Sequence, residues 1–354
     1  MNRIVTSIIF LLISHFIYAQ NEVKWCHVSD TYHNTKLTLV HNKQLLKNIN
    51  KNVDNENFAI HNNELYYISS DRKAVVKFNI NTKRAQVIGK NHNRSYNSLN
   101  ISNNGTVTIV GYENRYTRFY NLVNNKIIAI HSSEHTDEHT SSAITLSDTI
   151  IAAGNFRNSL LRAFTTSGEV FPSKIDLPTY PSGFPHNTER YIFFNIQFGM
   201  QDSKERRFAI MVGDGQSTIK LFSLNNTKPE QEAEVVIDSC LLPYSVITNY
   251  KGEPVICLTQ ASLETTPYKN CAIDMACSND RIYLLYSNNN MVPIKTSPRN
   301  QGDIIYEFDW NGELIDCHKI DKYLCNLMYD YATNKLYGIS RSSGFYLQLF
   351  EIHP

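Results

Sequence analysis

Short apolar runs broken by Asn, Gly, Ser and Asp follow one another along almost the whole chain, as in "FAIHNNELYYISS" (58–70), "LNISNNGTVTIVGY" (99–112), "AITLSDTIIAAGN" (143–155) and "NLMYDYATNKLYGIS" (326–340). Runs this short, rich in β-branched and aromatic residues and bounded by turn formers, predict paired strands. No stretch of useful length carries the 3.6-residue period of an amphipathic helix. Downstream of each pair comes a second hairpin, of which "GDIIYEFDWNGELIDCHKI" (302–320) shows the pattern most plainly. Aligning these hairpins brings Phe78, Phe119, Phe164, Phe222, Phe308 and Phe350 into one column, with Val75, Tyr116, Leu161, Ile219, Ile305 and Leu347 three positions earlier. Turns built on Asn124-Asn125, Ser167-Gly168 and Asn311-Gly312 supply residues that tolerate the positive φ of a tight hairpin.

The aligned Phe residues are spaced 41, 45, 58, 86 and 42 apart. Four antiparallel strands recurring at roughly 40 to 50 residues are the mark of a β-propeller. The expected fold is therefore all-β, a six-bladed propeller of four-stranded antiparallel blades. The sixth unit stops at "FYLQLFEIHP" and lacks an outer strand, whereas "KLTLV" (36–40) belongs to no hairpin of its own. An open edge would template aggregation, so that segment is expected to complete the last blade and close the ring. The interval of 86 residues contains one further hairpin, "YSVITNYKGEPVICLTQ", without a matching Phe, which makes 239–270 an inserted excursion rather than a seventh blade. The expected division is a leader over 1–19 and one propeller domain over 20–354.

The leader is read from "MNRIVTSIIFLLISHFIYAQ": a basic residue, an apolar run, and Ala19 before a polar region form a secretory signal peptide. No later run approaches the roughly 20 apolar residues that span a bilayer, so no transmembrane segment is expected and the mature chain should be periplasmic or extracellular. Export to an oxidising compartment permits disulfides, but the seven cysteines are odd in number. Cys271 and Cys277 share one predicted strand and would stand roughly 20 Å apart, beyond bridging distance. No CxxC occurs, so buried thiols are the expectation and a structural zinc site is not. A net charge of +1 without a long basic run provides no field for gripping nucleic acid.

The leader, the six units, "RIYLLYS" and "GDIIYEFDWNGELI" together resemble the bacterial six-bladed TolB-like propellers of the BF3164-like lipoprotein type. The likeness covers nearly all of the mature chain and implies a fold and an envelope location; it carries no catalytic residues across. No Cys follows the apolar run at a lipobox position, and Cys26 in "KWCHV" stands in a different context, so no lipid anchor is expected.

In a propeller, loops between second and third strands open on one face around the central channel, the default place for a ligand. Five of the six such loops carry an Arg: Arg72, Arg115, Arg157, Arg299 and Arg341. Converging guanidinium groups would suit a carboxylate, phosphate or sulfate, and these five are the candidate ligand-binding residues. "HSSEHTDEHT" spaces His131, His135 and His139 four apart, but in a loop between strands this spacing does not align ligands, and no metal is expected there. Asp274, Asp330 and His61 are the carboxylate and histidine candidates of the inner strands and form no recognisable constellation. No GxSxG, phosphate loop or HExxH occurs. The expectation is a non-enzymatic binding or interaction module without a cofactor, its partner an anionic small molecule, a glycan or another envelope protein. The alternative is an envelope hydrolase or lyase with a metal in the channel.

Overall fold

A computed structural model describes residues 22–25, 32–41, 58–69, 71–113, 116–133, 142–147, 150–156, 159–165, 189–190, 196–201, 207–212, 217–225, 228–238, 244–248, 254–258, 268–269, 272–287, 290–291, 301–342 and 346–353. The signal peptide expected over 1–19 lies outside them. Every regular element among them is a strand.

Each aligned Phe stands on the third strand of an antiparallel sheet. Sheet I holds Phe58–His61, Glu64–Ile68, Val75–Asn79 and Ala85–Ile88; sheet II holds Arg94–Ile101, Val107–Glu113, Tyr116–Val123 and Lys126–Ser133. Sheet III holds Ser142–Ser147, Ile150–Phe156 and Ser159–Thr165. Sheet IV runs through Ile196–Met200, Arg207–Val212, Ser217–Asn225 and Lys228–Asp238; sheet V through Ala272–Cys277, Ile282–Tyr286, Gly302–Phe308 and Leu314–Leu324. Sheet VI is made of Asn326–Asp330, Lys335–Ser342 and Tyr346–Ile352, with Leu37–His41 as its outermost strand. The turn at Asn124-Asn125 has φ of 51° and 60°, and Gly312 has φ of 82°, the positive values these tight turns demand.

These sheets form a β-propeller with five blades of four antiparallel strands. That corrects the expected six four-stranded blades at one place: sheet III has three strands among the described residues, and its expected outer strand falls within 166–188, outside them. The innermost strands neighbour one another in the order I, II, III, IV, V, VI and back to I. Apolar side chains fill the wedges between neighbouring sheets. Tyr66 and Val75 of sheet I meet Leu99 and Ile109 of sheet II, and Ile60 and Phe78 of sheet I meet Met328 and Tyr337 of sheet VI. Phe78, Phe119, Phe222, Phe308 and Phe350 are buried in such wedges, which is why the repeat keeps an aromatic residue there.

The segment Leu37–His41 pairs antiparallel with Tyr346–Ile352, Leu37 opposite Ile352, as the unpaired "KLTLV" required. Two shorter strands precede it. Glu22–Trp25 lies parallel to the outer strand of sheet IV, and His33–Thr35 parallel to that of sheet V. The chain thus covers the outer edges of three successive sheets before the first blade begins. The hairpin Tyr244–Thr248 with Pro254–Leu258 joins Glu189–Arg190 in a separate small sheet, while the innermost strand of sheet IV passes directly beside that of sheet V.

Candidate functional site

Innermost strands have one edge toward the channel, and there the alternation of buried positions admits polar side chains. Asn100 of sheet II, Gln197 of sheet IV, Asp274 of sheet V and Asn326 of sheet VI line a common cavity in the channel, with Phe58, Phe198 and Tyr329 between them. Its volume is about 40 Å³, room for a few waters rather than for a drug-sized ligand. Cys277 presses its thiol toward Gly199, where a Cβ would stand 2.1 Å from the sulfur, so only glycine lets these two inner strands approach. Burial pushes the Cys277 thiol above its ordinary pKa, which makes it an inert packing group, as the sequence led us to expect of buried cysteines.

Asp274 is the one carboxyl group in the cavity lining. Its Oδ1 accepts the Met275 N–H at 2.9 Å, and Oδ2 accepts the Leu327 N–H at 2.8 Å and the Asn326 side-chain amide at 3.2 Å. Desolvation outweighs these three donors and pushes its pKa up to about 7. Asp330 lies at the far end of the neighbouring strand and is wholly buried. It accepts the Asn62 and Asn63 N–H groups of sheet I at 2.8 and 2.9 Å, and the Ala332 N–H at 3.1 Å. Those two asparagines have φ of 50° and 61°, which turns both N–H groups toward one carboxylate. Each acid therefore fastens sheet VI to a neighbour, Asp274 to sheet V and Asp330 to sheet I. His61, the histidine candidate of the inner strands, has a buried Nδ1 without a hydrogen-bond partner and packs against Gly105 of sheet II. The three do not converge on one point of the channel.

At the mouth, Arg72 occupies the expected loop of sheet I with φ 55°; its side chain is exposed and reaches Asn97 Oδ1 of sheet II at 3.4 Å. Arg115, Arg157 and Arg299 lie outside the described residues. Arg341, expected in a loop, is in the strand Lys335–Ser342 with its backbone opposite Leu347. Of the histidine-rich stretch, His131 belongs to the outer strand of sheet II, opposite Phe119, while His135 and His139 lie outside the described residues. Among the described residues no group of three or more His, Cys, Asp or Glu is arranged to hold a metal ion.

Sequence reasoning missed the amides. Asn100 donates its Nδ2 to Ser142 Oγ at 2.7 Å and to the Ala143 carbonyl at 2.9 Å in sheet III, repeating between II and III the fastening that Asp274 makes between V and VI. A single polar residue inside an otherwise apolar inner strand was the available signal at Gln197, whereas Asn100 shares its strand with Ser95, Asn97 and Ser98 and Asn326 shares its own with Asp330.

No family model and no curated protein matches the sequence. Among solved structures, a candidate exported protein from Bacteroides fragilis NCTC 9343 aligns over 94% of this chain and 98% of its own, with 10% identity and a TM-score of 0.54. A luciferin-regenerating enzyme aligns over 82% of this chain and 88% of its own at 9% identity and TM-score 0.46. BBS1N in complex with ARL6DN aligns over 81% and 74% at 9% identity and TM-score 0.43. The first of these is a likeness of fold; identities this low say nothing of activity. No helix among the described residues is long and apolar enough to cross a membrane.

Proposed function

We propose that this chain is an exported six-bladed propeller of the TolB-like, BF3164-like type that acts as a non-enzymatic binding module, taking an anionic ligand at the mouth of its channel. Six blades are supported by the cyclic order of innermost strands, in which sheet III stands between II and IV like any other member. Export is supported by the leader-like sequence before Gln20 and by the likeness to the Bacteroides fragilis protein. The observation that carries a binding role is the commitment of the two buried inner-strand acids, since Asp274 and Asp330 each accept three donors, two of which come from a neighbouring sheet. A carboxylate occupied in this way is poorly placed to relay protons or to ligate a metal.

An anion is the ligand class because the loops expected at the mouth carry Arg72, Arg115, Arg157 and Arg299 in the sequence, and Arg72 stands exposed in the loop of sheet I. The test is thermal denaturation of the mature chain against carboxylated, phosphorylated and sulfated compounds at constant ionic strength. One class should raise Tm, and replacing Arg72, Arg115 and Arg157 with Ala should abolish the rise. No stabilisation by any anion overturns the ligand class. The enzymatic alternative has one observation in its favour, a carboxyl group with pKa near 7 beside a cavity. Turnover of a glycan or lactone that is lost in Asp274→Asn would establish it.

A further inference from the structure

We infer that the face of sheet II toward sheet I carries a cradle for a phosphate or carboxylate group, built by Arg94 and Arg118. This rests on the anion-binding reading above and moves its centre from loops to strands. Arg94 is paired with Glu113, and Arg118 with Gly111, on the second strand of sheet II. Side chains of alternate residues share a face, so Arg94 and Tyr96, Glu113, and Arg118 and Tyr120 stand on one side of the sheet. That side packs on sheet I, because Tyr96 and Tyr120 share a core with Ala59, Tyr66 and Val75.

The two arginines compete for one acceptor. Arg94 Nε and Arg118 Nε each lie 3.3 Å from the same oxygen, Glu113 Oε2. That oxygen also receives the Tyr120 hydroxyl at 3.4 Å. Neither Nε–H is aligned for a hydrogen bond, and both are buried without an acceptor. One carboxylate faces two guanidinium groups, so the group keeps a net positive charge, and the two Nε–H donors stay unmatched. The Arg94 guanidinium is also held in place. Arg94 lies 5.1 Å over the Tyr120 ring, and Tyr120 meets Tyr96 edge to face at 5.8 Å. Gly111 makes that aromatic floor possible, since a Cβ there would stand 3.1 Å from Tyr96 and 3.3 Å from Tyr120. With 26% and 32% of their side-chain surface exposed, Arg94 and Arg118 are reachable from solvent. Arg72 reaches from sheet I to Asn97, three residues along the strand from Arg94. Two guanidinium groups converging on one carboxylate oxygen, one of them set over an aromatic ring, fit the oxygens of one tetrahedral or planar oxyanion, which supplies acceptors for the two unmatched Nε–H groups.

The test follows the arginine Nε–Hε resonances of the full mature chain during titration with inorganic phosphate, and separately with acetate, at constant ionic strength. Saturable shifts of the Arg94 and Arg118 signals are expected, and the tighter of the two anions identifies the chemistry. R118K should weaken binding about tenfold, because it keeps the charge and loses the fork. E113Q should tighten it about tenfold, because a neighbouring negative charge is gone. Backbone resonances report whether each variant stays folded, and the shifts in the unaltered protein decide the matter if one does not. An anion that binds while Arg94 and Arg118 stay silent, or that binds R118K unchanged, overturns the cradle and leaves the anion-binding mouth standing. Absence of saturable binding by either anion overturns the cradle, and the Tm screen across other anions then decides the broader reading separately.

Discussion

Asp274 holds sheet V to sheet VI through donors that lie 52 and 53 positions further along the chain. Its raised pKa has a definite consequence for stability. In the unfolded chain the group titrates near 3.9, whereas in the folded protein it titrates at about 7. Between those values the native state holds a proton that the unfolded state has lost, so stability falls as pH rises from about 4 through 7. Three pKa units correspond to on the order of 4 kcal/mol. Urea denaturation at pH 5, 6, 7 and 8 should show that decline, and Asp274→Asn should flatten it. The variant should also be less stable at pH 5, by about 1 to 3 kcal/mol, because an amide cannot accept on both sides and leaves one buried N–H without its partner. A pH dependence identical in the variant would assign the decline to other groups. The sequence displayed Asp274 as a polar residue in the apolar run "CAIDMACS", but not what it does. Its partners, like the register that sets Arg94 beside Glu113, are fixed by strand pairing, which no local spacing encodes.

At the scale of elements, the repeats were legible because Phe78, Phe119, Phe222, Phe308 and Phe350 each fill the corresponding wedge, and most units follow their Phe with an Asn- or Gly-bearing turn. Tyr116 departs from its column, standing 37% exposed where its counterparts Val75, Leu161, Ile219 and Ile305 are buried. Closure by 36–40 was legible as well, through an unpaired strand at each end of the pattern. The strands Glu22–Trp25 and His33–Thr35 were not, because three- and four-residue parallel strands carry no period to read. Their seat is partly polar: Thr35 Oγ1 lies 3.2 Å from His318 Nδ1, and His33 pairs with Asp316 at 3.3 Å. Deleting residues 20–41 removes all three edge strands, exposing unpaired backbone on sheets IV, V and VI. The truncated chain should lose solubility and run as oligomers by size exclusion with light scattering. A monomer with unchanged Tm would show that the edges need no cover.

For the whole molecule, covering edges and closing the ring are separable tasks. Because Leu37 pairs directly with Ile352, a short turn from His353 to Lys36 would make the closing strand part of an ordinary hairpin. A circular permutant built that way, with new ends at Asn124-Asn125 and without residues 1–35, should retain cooperative unfolding and the fold while leaving sheets IV and V uncovered. Loss of cooperativity would mean that the earlier strands, and not the closing one, hold the ring. The pairing also sets a schedule for biosynthesis. Leu37–His41 is translated roughly 300 residues before the strand it must join, and closing a loop of that length costs about 5 kcal/mol of chain entropy. The ring stays open until the final strands emerge, so the nascent chain cannot complete its fold ahead of its own release from the ribosome.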